Sequence, residues 1–141
     1  MSLEELQLPI DYLQWLAKLP LHHLGKFKKN DWQFAAVAEL TETIKINRVK
    51  VTYARQLQGW VAMYEGMGGD AADGPKGTQF SFDRLRQCLV LATDNEEMLF
   101  VDPADLFSAW KLEPEECTIQ VVAKSLADLI AKVVVEDLDA D

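Results

Sequence analysis

The only glycine-rich stretch, residues 66–78 (GMGGDAADGPKGT), is the first candidate for phosphate chemistry. A GxxxxG spacing typical of phosphate-cradling loops begins at Gly69, but Pro75 interrupts the GK[ST] sequence that completes such loops. Asp70 and Asp73 would also repel a phosphate. A calcium loop is excluded because the alternating oxygen ligands and the closing glutamate are absent. We therefore predict a mobile surface loop.

Histidine and cysteine are the other residues that could react or bind metal. His22 and His23 are adjacent, so they cannot face the same way, and no HExxH spacing surrounds them. We expect an exposed pair, or one packed and one exposed residue. Cys88 and Cys117 lack CxxC spacing, which predicts two reduced, buried thiols. The alternative is a disulfide between neighbouring strands.

Paired carboxylates could catalyse glycoside hydrolysis, but no pair stands out among the acids of residues 94–105. The candidates there are Asp94, Glu96, Glu97, Asp102 and Asp105. No GxSxG motif is present either. We therefore predict a protein that has no catalytic residues, cofactor or metal and that acts by contact.

The charge of the chain is distributed unevenly along its length. Residues 1–57 contain 8 Lys/Arg and 6 Asp/Glu, whereas residues 58–141 contain 6 and 17. The resulting negative field argues against nucleic-acid and anionic-membrane partners and favours association with a basic protein. The alternative is that the acidity only maintains solubility. No segment is apolar for long enough to span a membrane, so we expect a cytoplasmic protein.

A meander of strands forms the centre of the predicted fold. The apolar run from Cys88 to Ala92, the turn residues at 93–96 and the apolar run from Met98 to Val101 predict a hairpin. Asp102-Pro103 ends the second strand, residues 106–110 can return as a third, and residues 118–122 predict a fourth.

Two helices should flank this sheet. Residues 8–20 contain an early proline, Pro9, and end at Pro20, and their apolar residues form a wide stripe. Residues 123–135 show helical spacing, and residues 136–141 form an acidic tail that we expect to be frayed. The predicted fold is therefore a single α+β domain spanning residues 1–141, an antiparallel meander with N-terminal and C-terminal helices.

The intervening sequence is less clear. Residues 21–31 resemble a solvated linker, residues 32–40 fit a strand followed by a helix, and residues 48–53 alternate as a strand does. Residues 53–64 have helical spacing, but Gly59 disfavours a helix, so a strand at residues 60–64 stays open.

Three segments resemble the SUKH superfamily, which contains bacterial immunity proteins and fungal regulators of cell-wall assembly. LPIDYLQWL resembles the family's LPxDYxxFL helix, LVLATDNEEMLFVDP its central sheet motif, and VVAKSLADLI its terminal IAxSFxxFL segment. The asparagine and two glycines that usually follow the first helix are replaced by Lys18-Leu19-Pro20, and residues 21–87 align only loosely.

The resemblance implies an α+β domain that has no cofactor and that binds and neutralises toxins, which are often nucleases. The acidic segment suits that role independently, because nucleases have basic clefts. We hypothesise an immunity protein that masks a basic toxin through five acidic residues, which are Asp70, Asp73, Asp94, Glu96 and Glu97. Trp60 is either a further contact residue or a core residue. The alternatives are a regulatory scaffold for endogenous partners and a small-molecule enzyme that uses residues 66–78.

Overall fold

A computed structural model describes residues 3–140 and shows a mixed α+β domain, which confirms the predicted fold class. The helices are α1 (Ile10–Ala17), α2 (Leu57–Gly66), α3 (Phe82–Arg86) and α4 (Leu126–Lys132). The strands are β1 (His23–Phe27), β2 (Asn30–Phe34), β3 (Thr43–Ile46), β4 (Val49–Thr52), β5 (Ala71–Asp73), β6 (Gln79–Ser81), β7 (Leu89–Asp94), β8 (Glu97–Asp102), β9 (Ser108–Glu113), β10 (Thr118–Ala123) and β11 (Val134–Asp137). None of the helices within residues 3–140 has the length and hydrophobicity that crossing a membrane requires.

Nine strands form one sheet in the order β11-β1-β2-β7-β8-β9-β10-β5-β6, and β3 and β4 form a separate hairpin. Neighbouring strands are antiparallel, except that β5 is parallel to β10. The predicted meander is confirmed as β7 to β10. The third strand begins at Ser108, because Leu106 and Phe107 adopt φ values of 52° and 53° to reverse the chain after β8.

Residues 89–92 of β7 and 98–101 of β8 are apolar without interruption because both faces of the sheet are buried there. In β8, Leu99 and Val101 face a first core with α1 and α4. Met98 and Phe100 face a second core with α2 and α3. Each face is therefore covered by its own pair of helices.

Both predicted flanking helices are present. Helix α1 begins directly after Pro9, and Ser125 Oγ accepts a hydrogen bond from the Asp128 backbone N–H at 3.1 Å to cap α4. Helix α4 is shorter than predicted, because the chain leaves it at Val133 to form β11.

The predicted linker at residues 21–31 is wrong, because this segment contains β1 and the beginning of β2. His23 is buried and bonded on both ring nitrogens, so it is the Nδ1–H tautomer. Its Nδ1 donates to the Pro20 carbonyl at 2.8 Å, and its Nε2 accepts from the Phe34 N–H at 3.2 Å. His22 is exposed, with Nδ1 lying 2.7 Å from Asp139 Oδ2, so the expectation of one packed and one exposed histidine is confirmed.

The prediction of a frayed tail at residues 136–141 is also wrong for its first two residues. Glu136 and Asp137 belong to β11, which pairs with β1, and Lys26 Nζ lies 2.8 Å from Glu136 Oε2. Backbone pairing to a free sheet edge orders this acidic strand although it contributes little apolar surface. Asp141 lies outside the described residues.

The open choice at residues 53–64 is decided in favour of a helix, α2. Gly59 suits this helix because a Cβ there would lie 2.7 Å from Ile46 Cβ, so the glycine allows β3 to pack closely. Residues 32–40 form β2 and then a short 3-10 turn at Val37–Thr41, and residues 49–52 form β4.

Residues 66–78 are more ordered than the predicted mobile loop. They include β5 and a 3-10 turn at Pro75–Gly77. Strand β5 pairs with β6 and, in parallel, with β10, so the sheet supplies hydrogen bonds that fix this segment. Helix α3 then begins at Phe82, where Ser81 Oγ accepts from the Arg84 N–H at 3.2 Å.

Candidate functional site

A surface groove lies beside α2 and is bordered by two turns of the meander. We call it the α2 groove. It has a volume of about 610 Å³, within the range of about 300–1,000 Å³ that is usual for binding pockets. One wall is α2, a second is formed by residues 67–71 and the start of α3, and the far side is formed by the β7–β8 turn and the β9–β10 turn.

The floor of the α2 groove is apolar and comprises Trp60, Met63, Tyr64, Phe82 and Met98. The Tyr64 ring stacks between those of Trp60 and Phe82, with centroid distances of 6.3 and 6.0 Å. These rings belong to the second core or pack against it, so the floor is the outer edge of that core: Tyr64, Phe82 and Met98 are buried, and Trp60 and Met63 are half-buried. Such a floor can accept apolar side chains with little rearrangement.

Two hydrogen bonds fix the width of the α2 groove. Tyr64 Oη donates to the Pro114 carbonyl at 2.8 Å and ties α2 to the β9–β10 turn. The Gly69 N–H donates to the Tyr64 carbonyl at 2.9 Å and holds the segment after α2 against the helix end. Burial raises the pKa of the Tyr64 hydroxyl above its ordinary value, so this donor keeps its proton at physiological pH.

The rim of the α2 groove is acidic. Glu96 lies on the β7–β8 turn, Glu115 and Glu116 lie on the β9–β10 turn, and all three are exposed. None of the described residues that line the groove is a lysine or arginine. The rim therefore has uncompensated negative charge beside apolar surface.

Three carboxylates come especially close together at this rim. Oxygen atoms of Glu96, Glu113 and Glu115 lie within 4.8 Å of one another. This donor set suits a divalent cation with oxygen ligands, and it equally suits a lysine ammonium or an arginine guanidinium. Glu113 Oε2 also accepts the Glu116 N–H at 2.7 Å, which positions the turn.

Both cysteines are free. Cys117 lines the α2 groove, and burial, together with the nearby Asp73 carboxylate, raises the pKa of its thiol to about 11. Burial also raises the pKa of the Cys88 thiol. Both groups are therefore protonated at neutral pH, which is the opposite of the shift that activates a cysteine nucleophile.

The structure brings only part of the predicted contact surface to the α2 groove. Glu96 lies on its rim, and Asp70 is exposed between two residues that line it. Asp73 is exposed on β5 and accepts a hydrogen bond from Gln79 Nε2 at 2.8 Å. Of the five predicted contact residues, Glu96 alone lines the α2 groove.

Asp94 and Glu97 are engaged within the protein. Asn30 Nδ2 donates to Asp94 Oδ2 at 2.9 Å and to Glu97 Oε1 at 3.0 Å, and Lys111 Nζ lies 3.5 Å from Glu97 Oε2. Both carboxylates are half-buried. They join the β2 end of the sheet to the meander and offer less free charge than the sequence suggests.

Glu113, Glu115 and Glu116 were not among the site residues predicted from the sequence. The signal was present in the meander itself, because alternate turns of an antiparallel meander lie at the same end of the sheet. That geometry places the β9–β10 turn beside the β7–β8 turn.

Comparison with known proteins identified no matching family model, no matching curated protein and no matching solved structure.

Proposed function

We propose that this protein is a non-enzymatic, cytoplasmic binding protein that masks a basic surface of a partner protein. The partner class that the SUKH resemblance implies is a bacterial toxin of the nuclease type, which would make the protein an immunity protein. The observation that carries the proposal is the α2 groove, where apolar surface adjoins free carboxylates and no lining residue is cationic.

Electrostatics supports this choice of partner. The net charge is −9, and the exposed glutamates of the rim add a local negative field. Basic partners would be attracted at long range, and their association would be faster at low ionic strength. A nuclease cleft that binds phosphates supplies the complementary charge. Occupying that cleft would block its substrate sterically, without any chemical step by this protein.

The physical test is affinity capture with the immobilised protein from lysates of the producing strain and of competing strains. We expect a basic nuclease domain to be retained, and to elute between low and moderate salt. A variant with Glu96, Glu115 and Glu116 replaced by glutamine should retain less of it. The control variant, Glu4→Gln, Asp11→Asn and Glu136→Gln, changes the net charge equally at residues that do not line the groove.

The biological test is growth of cells that express the captured domain. Co-expression of this protein should restore growth, and expression of the rim variant should restore it less well. Capture of endogenous regulatory proteins with no net basic charge and no salt sensitivity would instead indicate the scaffold alternative. Saturable binding of a nucleotide would indicate a small-molecule enzyme.

A further inference from the structure

We propose that the α2 groove receives a basic amphipathic segment of the partner protein. A large apolar side chain of that segment enters the groove, and flanking lysine or arginine side chains meet Glu96, Glu113 and Glu115. This inference rests on the proposed function and adds a recognition mode to it, because charge masking alone would not require the apolar floor.

The chemistry of the floor favours side chains as the occupant. Met63 is half-buried and Met67 at the edge of the groove is 77% exposed, and both supply flexible, polarisable thioethers. Methionine-rich surfaces adapt to apolar side chains of different shapes. Met67 loses its contact with water only when a partner covers it, so covering this edge of the groove is favourable.

The rim determines the sign of the flanking charges. Glu96 and Glu115 line the groove, and the Glu113 carboxylate lies within 4.8 Å of theirs. None of the described ion pairs involves these three acids; the pair of Lys111 with Glu97 lies on strands β9 and β8. A segment with lysine or arginine beside its apolar residue would therefore be bound, whereas an acidic segment would be repelled.

The position of the charges favours a protein segment over an isolated cation. A metal ion would use the carboxylates alone and leave the apolar floor in water. The floor and the rim lie side by side and open to solvent, and an amphipathic helix presents apolar and basic side chains in this arrangement. The hydrogen bonds from Tyr64 and Gly69 hold the groove open before binding, which lowers the entropic cost of binding.

The test uses three labelled synthetic peptides of about 14 residues, a length that presents helical i, i+4 spacing. The first has leucines on one face and lysines on the other, the second has the leucines replaced by glutamine, and the third has the lysines replaced by glutamine. We expect the first to bind at least about tenfold more tightly than the second, because burying one large apolar side chain is worth that factor or more. The third should also bind more weakly than the first, because it has no lysines to meet the carboxylates of the rim.

Two variants localise the binding. Met63→Gln with Met67→Gln makes the accessible methionines of the floor and its edge polar at similar volume and should reduce the advantage of the leucine peptide. The control, Ile10→Gln with Leu21→Gln, changes two exposed apolar residues outside the groove and should leave it intact. Circular dichroism verifies that each variant is folded. Binding of the first peptide should also protect Cys117, which lines the groove, from alkylation.

The outcomes separate this inference from the proposed function. Equal affinity for the first two peptides, no binding of the first at low salt, or an unchanged preference in the methionine variant would overturn the groove inference. In each case the growth-rescue assay still decides the proposed function. Failure of the wild-type protein to protect against a basic toxin that it binds would overturn the proposed function, whatever the peptides show.

Discussion

Replacing Arg84 with methionine should substantially destabilise the protein. The Asp102 side chain at the end of β8 is only 2% exposed, and its Oδ2 lies 2.7 Å from Arg84 Nε. Its Oδ1 accepts the Ala104 N–H at 3.0 Å. The Arg84 guanidinium also lies 3.7 Å from the centre of the Phe80 ring. The pair therefore connects α3, which supplies Phe82 to the α2 groove, with the central meander.

The magnitude follows from the burial of Asp102. Removing one partner of a buried ion pair costs about 3–5 kcal/mol, because the remaining charge is left without compensation. The Arg84 side chain is 39% exposed, so water moderates its interaction and lowers the expected loss to about 2–4 kcal/mol. At about 2–4 °C for each kcal/mol, the melting temperature should fall by roughly 4–16 °C.

The assay is urea denaturation of a double-mutant cycle that contains Arg84→Met, Asp102→Asn and the double variant. Removing both charges should be less destabilising than the sum of the single changes. Lys132→Met is the control, because its i,i+4 pair with Asp128 is on the surface and should contribute less than about 0.5 kcal/mol. A loss for Arg84→Met no larger than that of Lys132→Met, or strict additivity in the cycle, would refute the reasoning.

Three further predictions concern the β3–β4 turn, a groove thiol and the tyrosines. Asn47 and Arg48 have φ values of 51° and 73°, as in a type I′ turn. Arg48→Gly should therefore raise the free energy of unfolding, measured by urea denaturation, by about 0.5–1 kcal/mol. A decrease would contradict the turn assignment. The pKa of the Cys117 thiol is raised from 9.0 to about 11, which lowers its thiolate fraction about a hundredfold near neutral pH. Alkylation of Cys117 should therefore be at least about tenfold slower than alkylation of a free thiol. Equal rates would show an exposed thiolate. Burial raises the pKa of all three tyrosines, that of Tyr53 to about 12, so they should not ionise near pH 10 in the folded protein. Their contribution to stability is complete below pH 10 and is lost as pH rises through the folded pKa values, and phenolate absorbance should appear together with unfolding rather than before it.

The meander was predictable because its signals are local. Two apolar runs separated by turn residues specify β7 and β8, and Asp102-Pro103 marks where β8 ends. Helix α1 was predictable for the same reason, since Pro9 and Pro20 delimit its apolar stripe. These elements bury their apolar residues in the way that their spacing indicates.

The β1–β2 hairpin was not predicted because the glycine and lysines of this segment suggested a linker, whereas in the structure they belong to or adjoin a strand. Gly25 in the predicted linker is a packing requirement, since a Cβ there would lie 2.5 Å from Phe34 Cε2. Lys26, the one lysine within β1, is exposed between the less exposed Gly25 and Phe27. A glycine that admits an aromatic ring has the same sequence signature as a glycine in a loop.

Strand β11 and the α2 groove depend on contacts between distant parts of the chain. Residues 134–137 pair with residues 23–26 through backbone groups, and their acidic composition gives no local indication of this pairing. The groove brings α2 together with two turns of the meander. The acidity of Glu115 and Glu116 was visible in the sequence, but their position beside Glu96 follows only from the strand register, in which Met98 pairs with Leu112.

The double-sided burial of β7 and β8 has a consequence for how the molecule opens. Their backbone amides are covered by side chains and helices on both faces, so water reaches them only when the whole domain unfolds. Deuterium uptake by these amides should therefore report the global free energy of unfolding. The β3–β4 hairpin forms a sheet of its own, and its amides can exchange by local opening while the large sheet stays intact.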